Sequence, residues 1–342
     1  MITRRSFTAS ALASVPALGL LGRRGWAQGM RDVTFVQPSP SAINSFPVFI
    51  AIGEGYFADE GLNVRVEAIN GSGAVLQALS AGQAQFGRPG PGPVLAARSR
   101  GVDAVAIYNV AARSNFGIVV QDGSDIQGVE GLRGTVIGTG TADGAEVGFA
   151  RNVLNGSGMV EGTDYTFLTV GDGGPATAAF LNGEISAYSA STADAAILNQ
   201  RGMAVRDITP PEFARFFGNG IATMGDIIRN DRGLVEAWVR AHMRGHAFAL
   251  DDANREAALA HLAAGNPQEG EDREFQSALF DAVRSKTLPV EEGGPLGLYP
   301  AEVWEEWQAS LVAGGEIPGP LDDLSAAWTN DFVIAANAAI NG

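Results

Sequence analysis

Hydroxyl, amide and carboxylate side chains recur just after short apolar runs, where glycine and proline interrupt the chain. Ser39 and Asn44 sit in one such loop, Ser72 and Gly73 in a second, Gly90 and Pro91 in a third, and Asn109 follows a fourth run. Thr139, Thr141 and Asp143 share the stretch Gly138-Thr139-Gly140-Thr141-Ala142-Asp143-Gly144. Asp172 lies in Gly171-Asp172-Gly173-Gly174-Pro175, and Tyr188 and Ser189 close a later run. Several of these loops open helices. Free N–H groups at a helix start hold a carboxylate, sulfonate or phosphate without a side-chain cation, and nearby hydroxyls add donors. Asp143 and Asp172 would accept N–H groups of an amine or heterocycle. Phe46, Tyr108, Phe116 and Tyr188 would flank a flat ring, and Arg88 and Arg113 are the cations near these loops. Taken singly, each hydroxyl or acid also reads as a helix N-cap, each aromatic as core and each arginine as a solvated surface group. Together they fit ligand binding through many polar contacts.

Covalent chemistry has few candidates. There is no cysteine, which excludes disulfides, thiolate metal sites, iron–sulfur clusters and a cysteine nucleophile. Lys286 is the one lysine, so a Schiff-base lysine or a P-loop has no residue where it is needed. His242 and His246 lie four apart on an expected helix, a chelating spacing, but no third ligand accompanies them and they read as part of a solvated helix face. All three histidines fall in the C-terminal part, so no Ser-His-Asp arrangement can be assembled. Residues 138–144 follow a strand and open a helix, close to a dinucleotide fingerprint, with Asp172 where a ribose-binding acid would stand. The spacing is G-x-G-x-x-x-G. A dinucleotide-dependent oxidoreductase is therefore the alternative enzyme reading.

The elements that position these residues alternate. Strands are expected at 33–36, 63–69, 85–87 and 104–108, with helices at 46–56, from 71 onward and at 94–100. The pattern restarts with strands at 117–120, 134–138, 166–170 and 184–188, and helices at 145–154 and through Phe180. Alternating strands and helices imply a largely parallel α/β sheet. In such sheets ligands gather at the carboxyl ends of the strands, where the loops above lie. Beyond residue 225 strand signals fade and amphipathic helices follow at 234–250, 255–263 and 301–311.

Three segments carry a family resemblance: Gly53-Glu54-Gly55-Tyr56-Phe57-Ala58-Asp59-Glu60-Gly61-Leu62-Asn63-Val64, residues 76–87 (LQALSAGQAQFG) and residues 132–138 (LRGTVIG). Their order resembles the periplasmic solute-binding proteins of ABC importers, in the group that handles nitrate, sulfonates, taurine and the pyrimidine precursor of thiamine. Gln85 and Ser186 depart from that pattern, which often has aspartate there. The resemblance implies an α/β, two-lobe, type II periplasmic-binding fold with two crossover strands and a helical C-terminal extension. Residues 30–112 plus 225–342 would form lobe 1 and residues 113–215 lobe 2. The crossovers would lie near 111–119 and 216–224. It also implies hinge closure on a small-molecule ligand, delivery to an ABC permease in the inner membrane, a monomer, no cofactor and no enzymatic activity. The thiamine-pyrimidine synthases of the same superfamily consume an active-site histidine and use a cysteine-rich motif, neither of which is present in these loops. A ligand sensor would look the same in sequence.

Composition agrees with such a setting. Thr3-Arg4-Arg5-Ser6-Phe7, a short apolar stretch and small residues at Gly25 and Ala27 read as a twin-arginine export signal over residues 1–27, recognised by the twin-arginine translocase. The expected location is the periplasm. The whole chain carries a net charge of −15, and loss of the arginine-rich start makes the mature chain more acidic. Such a charge repels nucleic acid and leans toward a neutral or singly charged organic ligand, heteroaromatic compounds included.

Overall fold

The structure, a computed structural model, describes residues 29–291 and 293–341. The export segment lies outside the described residues. Among the described residues, ten strands form two five-stranded sheets. The first contains β1 (Arg31–Gln37), β2 (Leu62–Ala68), β3 (Phe86–Gly87), β4 (Ala104–Tyr108) and β10 (Ile221–Met224). The second contains β5 (Phe116–Gln121), β6 (Thr135–Thr139), β7 (Tyr165–Thr169), β8 (Ala187–Ser191) and β9 (Val205–Asp207).

The spatial orders are β2-β1-β3-β10-β4 and β7-β6-β8-β5-β9. β1 runs parallel to β2 and β3, as the strand–helix alternation predicts. β10 is antiparallel to β3 and β4, and β5 is antiparallel to β8 and β9. Parallel neighbours need a crossover connection, usually a helix. β5 and β10 instead arrive directly from the other lobe, so they enter in the opposite sense.

Aromatic packing holds the first lobe. Trp238, on the helix Arg232–Leu250, is fully buried against Phe86 (ring centroids 4.2 Å apart), Phe57 (4.6 Å) and Phe35 (5.5 Å). Apolar residues at helical spacing on that helix, Leu234, Val235, Trp238, Val239 and Ala241, form the face that covers the sheet. Gly245 lets the same helix approach the helix Phe46–Gly53, since a Cβ there would stand 2.2 Å from the Pro47 carbonyl.

The crossovers are braced from outside. Phe216 and Phe217, in the return segment, pack against Trp307 (5.3 Å) and Trp304 (4.9 Å) of the helix Ala301–Ala313. Asn115 Oδ1 accepts from the Asn219 backbone N–H (3.3 Å) and joins one crossover to the other. The helix Arg273–Ser285 reaches the second lobe, where Phe280 shares a buried cluster with Ala193.

Two local expectations shift. The helix over 46–56 breaks into Phe46–Gly53 and Tyr56–Asp59, because Gly55 turns left-handed at φ 78°. The strand expected at 184–188 becomes β8 at Ala187–Ser191, because the chain first turns at Gly183 (φ 70°) after the helix Gly174–Leu181.

Candidate functional site

A cavity of about 70 Å³ lies between the lobes. Ser39, Asn44, Ser72 and Arg88 line it from the first lobe, Asn115 and Asn219 from the crossovers, and Thr141, Glu146, Asp172, Ser191 and Asp194 from the second. The strand ends therefore converge on one space. The lobes meet closely around it. A Cβ on Gly90 would stand 2.2 Å from Ala145 Cβ across the cleft, and one on Gly73 would stand 1.8 Å from Asp143 Oδ2.

The second-lobe wall is acidic. Glu146 opens the helix Ala145–Gly156, and its Oε1 accepts from the Thr141 backbone N–H and from Thr141 Oγ1, both at 3.3 Å. Its own carbonyl accepts from Ser189 Oγ (2.7 Å). Burial, helped by the charges of Asp194 and Asp172, pushes the Glu146 carboxyl up to about 7. Asp194 forms a capping box with Ser191: its Oδ2 accepts from the Ser191 N–H (2.9 Å), and its own N–H donates to Ser191 Oγ (3.2 Å). Burial, then the neighbouring Asp172, pushes Asp194 up to about 6. Asp172, more exposed at the rim, accepts from Tyr188 Oη (2.7 Å).

Arg88 faces this wall from the first lobe. It is 5% exposed, and its guanidinium makes no hydrogen bond or ion pair among the described residues; Nε in particular is buried without a partner. Burial lowers its pKa to about 10, so it stays charged at neutral pH.

The sequence expectations divide at this cavity. Ser39, Asn44, Ser72, Thr141 and Asp172 line it. Tyr188 and Ser189 stand behind it, both fully buried, holding Asp172 and the Glu146 carbonyl respectively. The shift of β8 put Ser189 inside the strand. Thr139 is also fully buried in its strand, beside Thr169 Oγ1 at 3.5 Å. Phe46 packs edge-on to His246 and Phe280 in the core, away from the cleft. Asn109 donates to the Leu298 carbonyl (3.0 Å) on the hinge side. Gly73, Gly90, Pro91 and Asp143 do not line the cavity; Gly73 and Gly90 form lobe-to-lobe contacts instead. The Asp143 carboxylate lies over Gly71 and Gly73, so it occupies the helix start at which a ligand anion was expected.

Arg113 is spoken for: Nη1 donates to the Leu288 carbonyl (2.6 Å) and Nη2 to those of Pro289 and Val290. His242 and His246 are buried rather than solvated. They continue the helix face of Trp238, and His246 Nδ1 lies 2.8 Å from Tyr108 Oη. Burial lowers His246 to about 3 and holds His242 well below its ordinary value, so both are neutral. Phe116 is the aromatic residue on the cavity wall, so no ring sandwich forms. Glu146, Asp194, Asn115 and Asn219 were not legible as site residues. The Ser191-x-x-Asp194 spacing is a capping signature that puts Asp194 at a helix start, but it carries no sign that this helix start faces a cleft.

Two α/β lobes, joined by two crossovers around a polar cavity, define a periplasmic-binding-protein-like fold. Residues 42–256 match the family described as NMT1/THI5 like, and the chain belongs to that family. Riboflavin-binding protein RibY of Chloroflexus aurantiacus is 24% identical over 310 residues, covering 89% of this chain and 86% of the relative. The fold is also that of the alkanesulfonate-binding protein SsuA from Xanthomonas axonopodis pv. citri (TM-score 0.69, 16% identity, 87% of this chain and 98% of that one). The periplasmic nitrate-binding protein NrtA from Synechocystis PCC 6803 superposes with TM-score 0.67 at 13% identity, over 90% and 89% of the two chains.

Proposed function

We propose that the protein is exported by the twin-arginine route, works in the periplasm as a monomer, and captures a small polar solute by hinge closure for an inner-membrane ABC permease. The observation that carries this reading is the polar cavity between the lobes, lined by both lobes and both crossovers. A ligand in such a place stabilises closure because its full set of contacts exists only when the lobes meet. Ser72 and Thr141 face it from opposite lobes, while Tyr188 and Ser189 position the acidic wall.

The solutes named for the relatives suit this cavity poorly. Riboflavin is far too large for about 70 Å³. Nitrate or a sulfonate would meet Arg88 but would also face Glu146, Asp172 and Asp194. The test is solution scattering on the mature protein with and without the solute that copurifies from its own host. Contraction on binding, without turnover of the solute, is expected. An unchanged profile with a bound solute would refute hinge capture.

A further inference from the structure

The two walls of the cavity carry opposite charge and do not satisfy each other. Arg88, buried and unpaired, lines one side; Asn219 Oδ1, also buried without a partner, lies beside it, where Asn219 Nδ2 holds the Arg88 carbonyl at 3.1 Å. Glu146, Asp172 and Asp194 line the other side, and none of them forms an ion pair with Arg88. A buried charge without a partner is costly. A simple anion would pair with Arg88 and confront Asp172, Asp194 and, once it ionises, Glu146. A simple cation would satisfy the carboxylates and leave Arg88 unmatched. A solute with both charges answers both walls.

Size narrows the class. At roughly 10–15 Å³ for each water-sized group, a cavity of about 70 Å³ takes about five to seven non-hydrogen atoms. That is the range spanned by glycine, β-alanine and 4-aminobutyrate. We propose that the ligand is a compact zwitterion of the amino-acid type, its carboxylate on Arg88 and its ammonium group on Asp194, Asp172 and Glu146. This rests on the importer reading and names the substrate class of the same site.

The test is calorimetry on the full mature protein, with glycine, β-alanine and 4-aminobutyrate as probes and propionate, propylamine, methanesulfonate and nitrate as controls. At least one zwitterion should bind, and each control should bind at least about tenfold more weakly, the loss expected for one charged hydrogen-bonding partner. Arg88→Met and Asp194→Asn should each weaken the zwitterion by about ten- to a hundredfold. Affinity of the wild-type protein should rise between pH 5.5 and 8, because the ammonium group favours ionised Glu146 and Asp194; these zwitterions do not themselves titrate there. That measurement stands even if a variant fails to fold. The proposal is overturned if no zwitterion binds at 10 mM (about the weakest affinity worth assigning to a site of this kind), if a control binds equally well, or if affinity falls with pH. Contraction with a copurifying solute of other chemistry would overturn this ligand class and leave hinge capture standing.

Discussion

Gly90→Ala separates closure from folding. Gly90 has φ −83° and ψ 163°, an extended conformation open to any residue, so alanine adds no backbone strain. It precedes the helix Pro91–Arg98 and faces Ala145, the first residue of the helix Ala145–Gly156 in the other lobe. The added Cβ would stand 2.2 Å from Ala145 Cβ. Carbon atoms settle at about 3.5–4.0 Å, so the lobes must part by about 1.5 Å at this point. Overpacking of this kind costs about 1–3 kcal/mol. When the lobes swing apart the methyl group meets no opposing wall, so the cost falls on the closed state alone. Ligand affinity should then drop by about five- to 150-fold. Calorimetry gives the affinity, scattering the liganded radius, and thermal melting in the absence of ligand the effect on the fold. A variant that binds and contracts like the wild type would refute the closure geometry.

Gly245→Ala tests the core in the opposite way: its Cβ would press to 2.2 Å from the Pro47 carbonyl, a backbone atom that cannot rotate aside. Urea unfolding should show a net loss of about 2 kcal/mol, an overpacking cost of about 3 kcal/mol less the roughly 1 kcal/mol that alanine gains over glycine in a helix; equal or greater stability would contradict the packing. Folded-state values of about 7 for Glu146 and about 6 for Asp194 lie above their ordinary 4.5 and 3.8. In that window the unfolded chain releases protons that the folded site retains, so ligand-free stability should fall as pH rises from about 4 to 7. Glu146→Gln should flatten the upper part of this melting profile, and an unchanged slope would count against a desolvated Glu146 carboxyl in this wall. Arg4→Lys with Arg5→Lys should leave precursor in the cytoplasm; normal periplasmic accumulation would remove the twin-arginine assignment.

Much of the first lobe was legible because its elements answer to local rules. Strand-type runs and helical spacing placed β1, β2 and the helix Gly71–Ser80 to within two residues at each end. Thr141 and Asp172 follow strands in glycine loops, so the rule that ligands gather at strand ends placed them at the cleft. The same rule failed for Ser189 and Thr139. A slip of a few residues turns a loop hydroxyl into a buried strand residue, and the pairing of β8 with β5 and β6 fixes that register.

The sequence by itself determined the alternation of strand and helix, the family segments, the absence of thiol chemistry and the acidic balance. These depend on residue identity and near neighbours. Tertiary structure alone decided which charges meet. Arg88 and Arg113 look alike in sequence, yet one is buried unpaired at the cavity and the other is taken up by three backbone carbonyls. His242 and His246 have a chelating spacing, but the face that Trp238 turns toward the sheet buries them as neutral core residues. Glu146 and Asp194 are 48 positions apart and become one acidic wall only because two helix starts converge on the cleft. Solvation and charge pairing depend on distances across the fold, and those distances are set by packing rather than by order along the chain.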